Sequence, residues 1–385
     1  MLELGSLDQL IGFALESLDV PQELQAKAQA VYDDLGAWVM KSDAAAGRKE
    51  PAFFPQGSAA LGTTTMNHGD WDIDAVYERP IARTSTTQEQ LKAQAKEVLE
   101  GFREDQRRQG KPMPRIVERP RCWRLVYPGF HIDALPAIPE DVDDDYSTRL
   151  LISDRELRAW IVTDPKGYIA WFIRCMGEVF EREREAIAKA SYRTIEQVPI
   201  WEVKTVLQRT VQYVRRNRDL SYGDDPEKLS PASILVTTLV ARCYQGERSI
   251  AEALRGVGLR MRDHLHVKDG GLWVPNPTDD HLPEDERENL ACAMVEDSRR
   301  AARFELWVRS LCADLAGLRD TKGPALRKLI AKSIGEPATG DADERIARLR
   351  TEQRETGGLR MAETGTLGAV GITVPRHTFH GVSPK

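Results

Sequence analysis

The sequence predicts a two-lobed α/β (α+β) protein, a mixed-sheet lobe followed by a helical lobe. Three observations carry that expectation. Alternating strand-like runs with Gly and Pro turns fill the chain up to about residue 155, amphipathic helices dominate after it, and neither an internal repeat nor a long low-complexity linker separates the two textures. At 385 residues there is room for two or three domains with ample core. The expected division is 1–160 for the sheet lobe with its long N-terminal helix, 161–356 for the helical lobe, and 357–385 for an extended, Gly-rich tail.

Taken in order, Leu7, Leu10, Ile11, Ala14 and Leu18 recur at helical spacing. Pro21 suits the first turn of a second, longer helix carrying Val31, Leu35 and Trp38. Phe53 and Phe54 read as a short strand running into a turn and a short helix, "SAALGT". "DIDAVYE" alternates as a strand does, and "TTQEQLKAQAKEVLEGFREDQRRQG" is a polar amphipathic helix ended by Gly110. "RCWRLVY" and "FHIDALPAI" read as strands joined by the turn-forming Pro128-Gly129. Beyond residue 155, "DRELRAWIV", "PKGYIAWFIRCMGEVFERER", "IWEVKTVLQRTVQYVRRNRD" and "SPASILVTTLVARCY" read as helices. "DERENLACAMVEDSRRAARFELWVRSLCADL" reads as one long helix and "GDADERIARLRTEQRE" as the last.

Composition excludes several classes. A net charge of −6 speaks against wrapping nucleic acid through a global basic field, and no nucleic-acid partner is expected. No window approaches the roughly 18 apolar residues a membrane span needs, and "MLELGSLDQLIGFALESLDV" is too acidic for a signal peptide. Five scattered cysteines without a CxxC read as buried thiols in a reducing cytoplasm. His264 with His266, and His377 with His380, read as surface pairs rather than zinc ligands.

The chemistry centres on "FFPQGSAALGTTTMNHGDWDIDAVYE", residues 53–78. Asp72 and Asp74 lie two apart on a strand, so their side chains stand side by side on one face. Like charges this close repel by roughly 1 to 4 kcal/mol in wet surroundings, so something positive should hold them. Asp70, beside them in an apparent loop, is an alternative to either. Downstream, Asp133 faces away from Phe130, Ile132 and Ala134; if its strand pairs with that of Asp72 and Asp74, three carboxylates converge. Such hard oxygen donors suit two Mg²⁺ or Mn²⁺ ions. Gly57 lets the backbone approach a phosphate, and the Ser58 hydroxyl with the following N–H groups can bind its oxygens. Each part alone is weak; the joint spacing points to metal-assisted chemistry on a nucleoside triphosphate.

Gly-Ser followed by an alternating acid pair resembles the polymerase-β-like nucleotidyltransferases. "FFPQGSAALGT", "DIDAV", "HIDALPAIP", "TDPKGYIAWF", "LQRTVQYVRRNRD", "SPASILVTTLVARCY", "VPNP" and "HTFHG" are similar to segments of the bacterial CD-NTases within that superfamily, covering residue 53 to near the C-terminus. The resemblance implies that Asp72, Asp74 and Asp133 bind the metals, with Asp133 also orienting the attacking hydroxyl. It implies that Gln56, Gly57 and Ser58 line the donor triphosphate, and that Arg215 and Ser233 contact phosphate from the helical lobe. Arg215 stands where the family commonly has Lys, and a guanidinium binds as a planar fork rather than a point charge. "ENLACAM" lacks the tryptophan expected after "NP", which leaves the acceptor side undefined. Trp123, Trp160, Trp171, Trp201, Trp273 and Tyr222 are base-stacking candidates, although most should be core.

The implied reaction is nucleotidyl transfer from NTPs to a ribose hydroxyl, repeated and closed into a cyclic di- or trinucleotide second messenger in cytoplasmic anti-phage (CBASS) signalling. A linear RNA- or protein-modifying transferase and a non-catalytic nucleotide-sensing scaffold are the competing readings. The first wants a stronger basic surface; the second wants a missing metal acid. The basic run "RIVERPRCWRL", with Arg115, Arg119, Arg121 and Arg124, reads as the exposed side of an edge strand rather than an oligonucleotide grip. The tail is expected to dock on a regulatory partner protein or on the helical lobe.

Overall fold

The computed structural model describes residues 4–66, 71–144, 146–154, 159–195, 198, 202–356, 358, 360–361, 367–368 and 371–374. Helices α1 (Leu4–Glu16) and α2 (Gln22–Ala45) precede strand β1 (Ala52–Gln56), the short helix α3 (Gly57–Leu61) and strand β2 (Trp71–Glu78). Helix α4 (Gln88–Arg108) then leads to β3 (Arg115–Glu118), β4 (Trp123–Tyr127) and β5 (Phe130–Pro139). The Thr87 side chain caps α4 in a reciprocal box with Gln90, which fixes its start.

The strands form one mixed sheet in the order β1-β2-β5-β4-β3. β2 and β5 pair in parallel along their whole length, while β1 and β4 flank them antiparallel. β3 is the edge strand, as expected of the basic run, and Arg115 is exposed on it. One face of the sheet packs on α2 and α4: Ile73 and Ala75 of β2, Ile132 and Ala134 of β5, Leu35 of α2 and Phe102 of α4 share a core. Because strand side chains alternate, burying Trp71, Ile73 and Ala75 forces Asp72 and Asp74 onto the opposite face.

The sheet extends further than the sequence pattern indicated. The described residues of "DRELRAWIV", 154 and 159–162, are strand rather than helix: β6 (Leu150–Asp154) and β7 (Ala159–Thr163) pair antiparallel, and β6 pairs with the far end of β5. Short apolar runs satisfy helix and strand periods alike, and here an open strand edge on β5 decides between them.

The remainder is helical: α5 (Pro165–Met176), α6 (Glu178–Ala190), α7 (Val206–Tyr222), α8 (Ser233–Cys243) and α9 (Ile250–Arg260). The expected single helix through "CMGEVF" breaks into α5 and α6 at Gly177, whose φ of 58° does not fit a helix interior. A small hairpin, β8 (His266–Lys268) with β9 (Gly271–Trp273), precedes α10 (Cys292–Glu296) and α11 (Ser298–Ala316). The expected long helix is therefore two, because the Asp297 side chain accepts from the Arg299 N–H and starts a new helix there. α12 (Gly323–Ile334), which sequence reasoning missed as it missed α9, and α13 (Glu336–Glu355) complete the lobe. Three two-residue strands, β10 (Arg360–Met361), β11 (Leu367–Gly368) and β12 (Ile372–Thr373), pair in the described part of the tail. The "HTFHG" segment lies outside the described residues.

The two N-terminal helices part company. Ile11 and Leu15 of α1 lie in the helical core with Val211 and Leu254, whereas Leu35 and Val39 of α2 lie in the sheet core. Among the described residues no helix is long and apolar enough to cross a membrane.

Candidate functional site

The face of the sheet opposite α2 and α4 carries the expected acids. The parallel β2–β5 register sets Asp72 beside His131 and Asp74 beside Asp133. On the outer side, β1 puts Gln56 opposite Asp74, and on the inner side β4 puts Arg124 opposite Asp133. Four strands thus present Gln56, two aspartates, a histidine, a third aspartate and an arginine in adjacent positions. Asp70 lies outside the described residues.

The charges do not balance. Arg124 clamps Asp133 bidentately, its Nε donating to Oδ1 at 2.7 Å and its Nη2 to Oδ2 at 2.6 Å, and Nη2 also reaches Asp72 Oδ1 at 3.3 Å. His131 Nε2 lies against the same Asp72 oxygen. The pairing with Asp133 raises the Arg124 pKa further and keeps it charged. No salt bridge reaches Asp74 among the described residues; burial, then Asp133 and Asp72, push its carboxyl up to about 6, against the opposing pull of Arg124 and Arg215.

The Gly-Ser turn abuts this acid. Gly57 opens α3 at a φ of 61°, and a Cβ built there would stand 2.7 Å from Asp74 Oδ2. A side chain at position 57 would be strained by the positive φ and would have to displace the Asp74 carboxylate. Ser58 is half-buried behind it and its hydroxyl accepts from Thr64 Oγ1 at 3.4 Å.

The segment after α3 is held by a row of donors from the helical lobe. Gln208 donates to the Leu61 carbonyl at 2.9 Å, Lys204 to Gly62 at 2.9 Å, Arg215 to Thr63 at 3.3 Å and Gln212 to Thr64 at 2.6 Å. Four consecutive carbonyls are thereby fixed, three by side chains at helical spacing along α7 and the Gly62 carbonyl by Lys204 just before that helix. Both glutamines are fully buried. Burial pushes the Lys204 ammonium down to about 8 and the Arg215 guanidinium down to about 10.

Arg215 therefore faces both Thr63 and the field of Asp74. Ser233 is exposed at the start of α8, and its hydroxyl accepts from Arg218 Nη1 at 2.9 Å rather than from Arg215. Sequence reasoning missed Arg124, His131, Arg218 and the α7 glutamines. For Arg124 a signal existed: a two-residue Pro128-Gly129 turn dictates the β4–β5 register and puts position 124 opposite 133. Arg121 pairs with Asp154 at 2.7 Å, so two members of the basic run serve internal acids. Of the aromatic candidates, Trp123 is buried, Trp171 packs on Tyr168, Lys268 covers Trp273, and Tyr222 is sandwiched by Arg303 and Trp307. Trp160 packs beside Leu91 and Ile138, and Trp201 lies outside the described residues.

The donor set fits divalent cations of the Mg²⁺ class. Its atoms are carboxylate oxygens, and burial together with the Asp133 and Asp72 charges makes the ionised form of Asp74 costly, a deficit that a bound cation would offset. Among the described residues no three His, Cys, Asp or Glu side chains are gathered closely enough to hold an ion as they stand.

Residues 51–137 match the family model described as the nucleotidyltransferase domain of cyclic GMP-AMP synthase DncV-like proteins. A c-di-GMP synthase from Roseivirga ehrenbergii is 26% identical over 97% of both chains. The cyclic dinucleotide synthase CdnG from Bradyrhizobium diazoefficiens is 21% identical over 70% of this chain and 67% of its own. The solved structure of CdnG in complex with GTP superposes with a TM-score of 0.66 at 18% identity, covering 90% of this chain and 98% of that one. Vibrio cholerae DncV in complex with nonhydrolyzable GTP matches with a TM-score of 0.52 at 15% identity, over 76% and 70% of the two chains.

Proposed function

We propose that the chain is a CD-NTase of the DncV-like kind that joins nucleoside triphosphates, GTP among them, into a cyclic di- or trinucleotide. The observation that carries this reading is the placement of Asp72 and Asp74 side by side with Asp133 in parallel register, against the Gly57–Ser58 turn.

In this reading Asp72, Asp74 and Asp133 hold two Mg²⁺ or Mn²⁺ ions, which when bound activate the acceptor hydroxyl and stabilise the departing pyrophosphate. The chain supplies the positioning. Gly57 admits the donor triphosphate close to the backbone, with Gln56 and Ser58 beside it. Asp133 orients the ribose hydroxyl, whose oxygen bonds to the α-phosphorus as the bond to pyrophosphate breaks. Arg215, with Ser233 and its partner Arg218, grips phosphate from the helical side. Ring closure repeats the same step on a linear intermediate that stays bound and turns its free hydroxyl toward Asp133. Base stacking worth roughly 1 to 3 kcal/mol per base supports that retention.

Residues 1–160, apart from α1, which packs in the helical core, and 161–356 serve as the catalytic and helical lobes, and 357–385 as a tail that docks a regulatory partner. The setting is cytoplasmic anti-phage (CBASS) signalling. The deciding experiment is incubation with all four NTPs and Mg²⁺ or Mn²⁺, without template or primer. A product lacking one water relative to the linear oligonucleotide monophosphate is expected. Linear chains alone, or primer-dependent extension, would favour the linear transferase, and no turnover the scaffold.

A further inference from the structure

Arg124 occupies oxygens that the proposed ions need. Its fork takes both oxygens of Asp133 and reaches one of Asp72, and that same Asp72 oxygen is also covered by His131. The side chain sits on β4 at a register position set by the hairpin, on the side of β5 away from β2, and reaches past Asp133 to Asp72. A bidentate guanidinium–carboxylate pair is among the stronger protein ion pairs. It therefore competes with any other cation for the same lone pairs.

We propose that Arg124 is the resident cation of the acid cluster: it neutralises Asp133 and Asp72 until the metal–nucleotide complex arrives, then yields Asp133 to it. This rests on the reading of Asp72, Asp74 and Asp133 as metal-holding acids. Two consequences follow from the geometry. Nucleotide-free protein binds divalent cations weakly, because a bonded arginine has to be displaced from Asp133. The charge of an NTP triphosphate offers the displaced guanidinium a new anionic partner, so metal and nucleotide bind with positive coupling. Arg124 is thus a positioning residue that acts through Asp133.

The test is Mn²⁺ titration of the full chain by electron paramagnetic resonance, first without nucleotide and then with a nonhydrolysable NTP. Arg124→Gln keeps a hydrogen-bonding side chain of similar length but removes the competing charge. It should bind Mn²⁺ without nucleotide about 10-fold or more tighter than the native chain, and should lose most of the nucleotide coupling. Adding Asp133→Asn to Arg124→Gln should cancel the gain. An arginine that only braces the strands would, on removal, leave Mn²⁺ affinity unchanged or lower; either result overturns the proposal. Where Arg124→Gln does not fold, Arg124→Lys keeps the charge and loses the fork, and a smaller tightening is expected; no tightening again overturns it. A different failure, in which Asp74→Asn and Asp133→Asn change neither Mn²⁺ binding with nucleotide nor turnover, refutes the metal-acid reading itself.

Discussion

The acid face of the sheet and the α7 face that grips residues 61–64 are both polar, both partly buried and next to each other, yet they are built on opposite terms. On α7 the polar groups of Gln208, Gln212 and Arg209 are matched. The Gln208 side chain donates to Leu61 and accepts from the Thr205 N–H, while Gln212 donates to Thr64 and Asp19 and accepts from Arg209. Arg209 in turn forks onto Asp19 at 2.8 and 2.9 Å. On β2 and β5 the charges are unmatched: Arg124 and His131 serve Asp133 and Asp72, no salt bridge among the described residues reaches Asp74, and burial with its acidic neighbours disfavours its ionised form. Matched polar groups hold a structure at no electrostatic deficit. An unmatched cluster costs stability unless a ligand completes it, and this one lies at the proposed triphosphate site.

The contrast breaks most sharply at Asp74. Asp74→Asn keeps the shape and removes the unmatched charge, so turnover should fall by about 1000-fold or more. Thermal melting of the nucleotide-free protein should hold steady or rise, because a repulsion has gone. Near-native turnover with a lowered melting temperature would make Asp74 a structural residue instead.

On the matched face the opposite is expected. Gln212→Leu leaves the Thr64 carbonyl and part of Asp19 without a donor in a buried site, and should destabilise the fold by about 1 to 3 kcal/mol in denaturant titration. Any loss of turnover at low denaturant should be the smaller effect. If Gln212→Leu melts like the native chain but abolishes turnover, the row serves chemistry rather than architecture.

The smallest effect concerns Lys204. Its folded-state pKa is depressed to about 8 from an ordinary 10.5, chiefly by burial, so the fold disfavours its charged form. The associated penalty is complete below about pH 8 and is relieved as pH rises toward 10.5, where the unfolded chain also loses the proton. The stability difference between the native chain and Lys204→Met, followed from pH 7 to 10 in urea, should move in the native chain's favour as pH rises. A flat difference would show that the ammonium is not buried against Gly62.

How much of this was legible in the sequence depends on the distance over which each feature is set. Alternation in "DIDAVYE" and "FHIDALPAI" is local, and it correctly separated the acids from the apolar face. The two-residue turn at Pro128-Gly129 is also local, and it already implied the Arg124–Asp133 pair, which reading the basic run as an exposed edge obscured. Thr205 with Gln208 is a readable capping box, although nothing in its spacing says that Gln208 also reaches Leu61. "DRELRAWIV" went wrong because strand or helix was decided by the free edge of β5, which no local pattern displays.

What the sequence by itself determined is which side chains share a face: strand alternation put Asp72 with Asp74, and Gly57 supplied a residue that takes a positive φ beside a carboxylate without strain. The tertiary structure decided which faces meet. Parallel pairing of β2 with β5 across an intervening helix and two strands set Asp74 beside Asp133, and docking of α7 pinned the segment behind the Gly-Ser turn. Side-chain direction follows from one residue's backbone geometry and can be read locally. Which strand lies beside which is settled by burying apolar surface over the whole chain, and only the folded molecule carries out that sum.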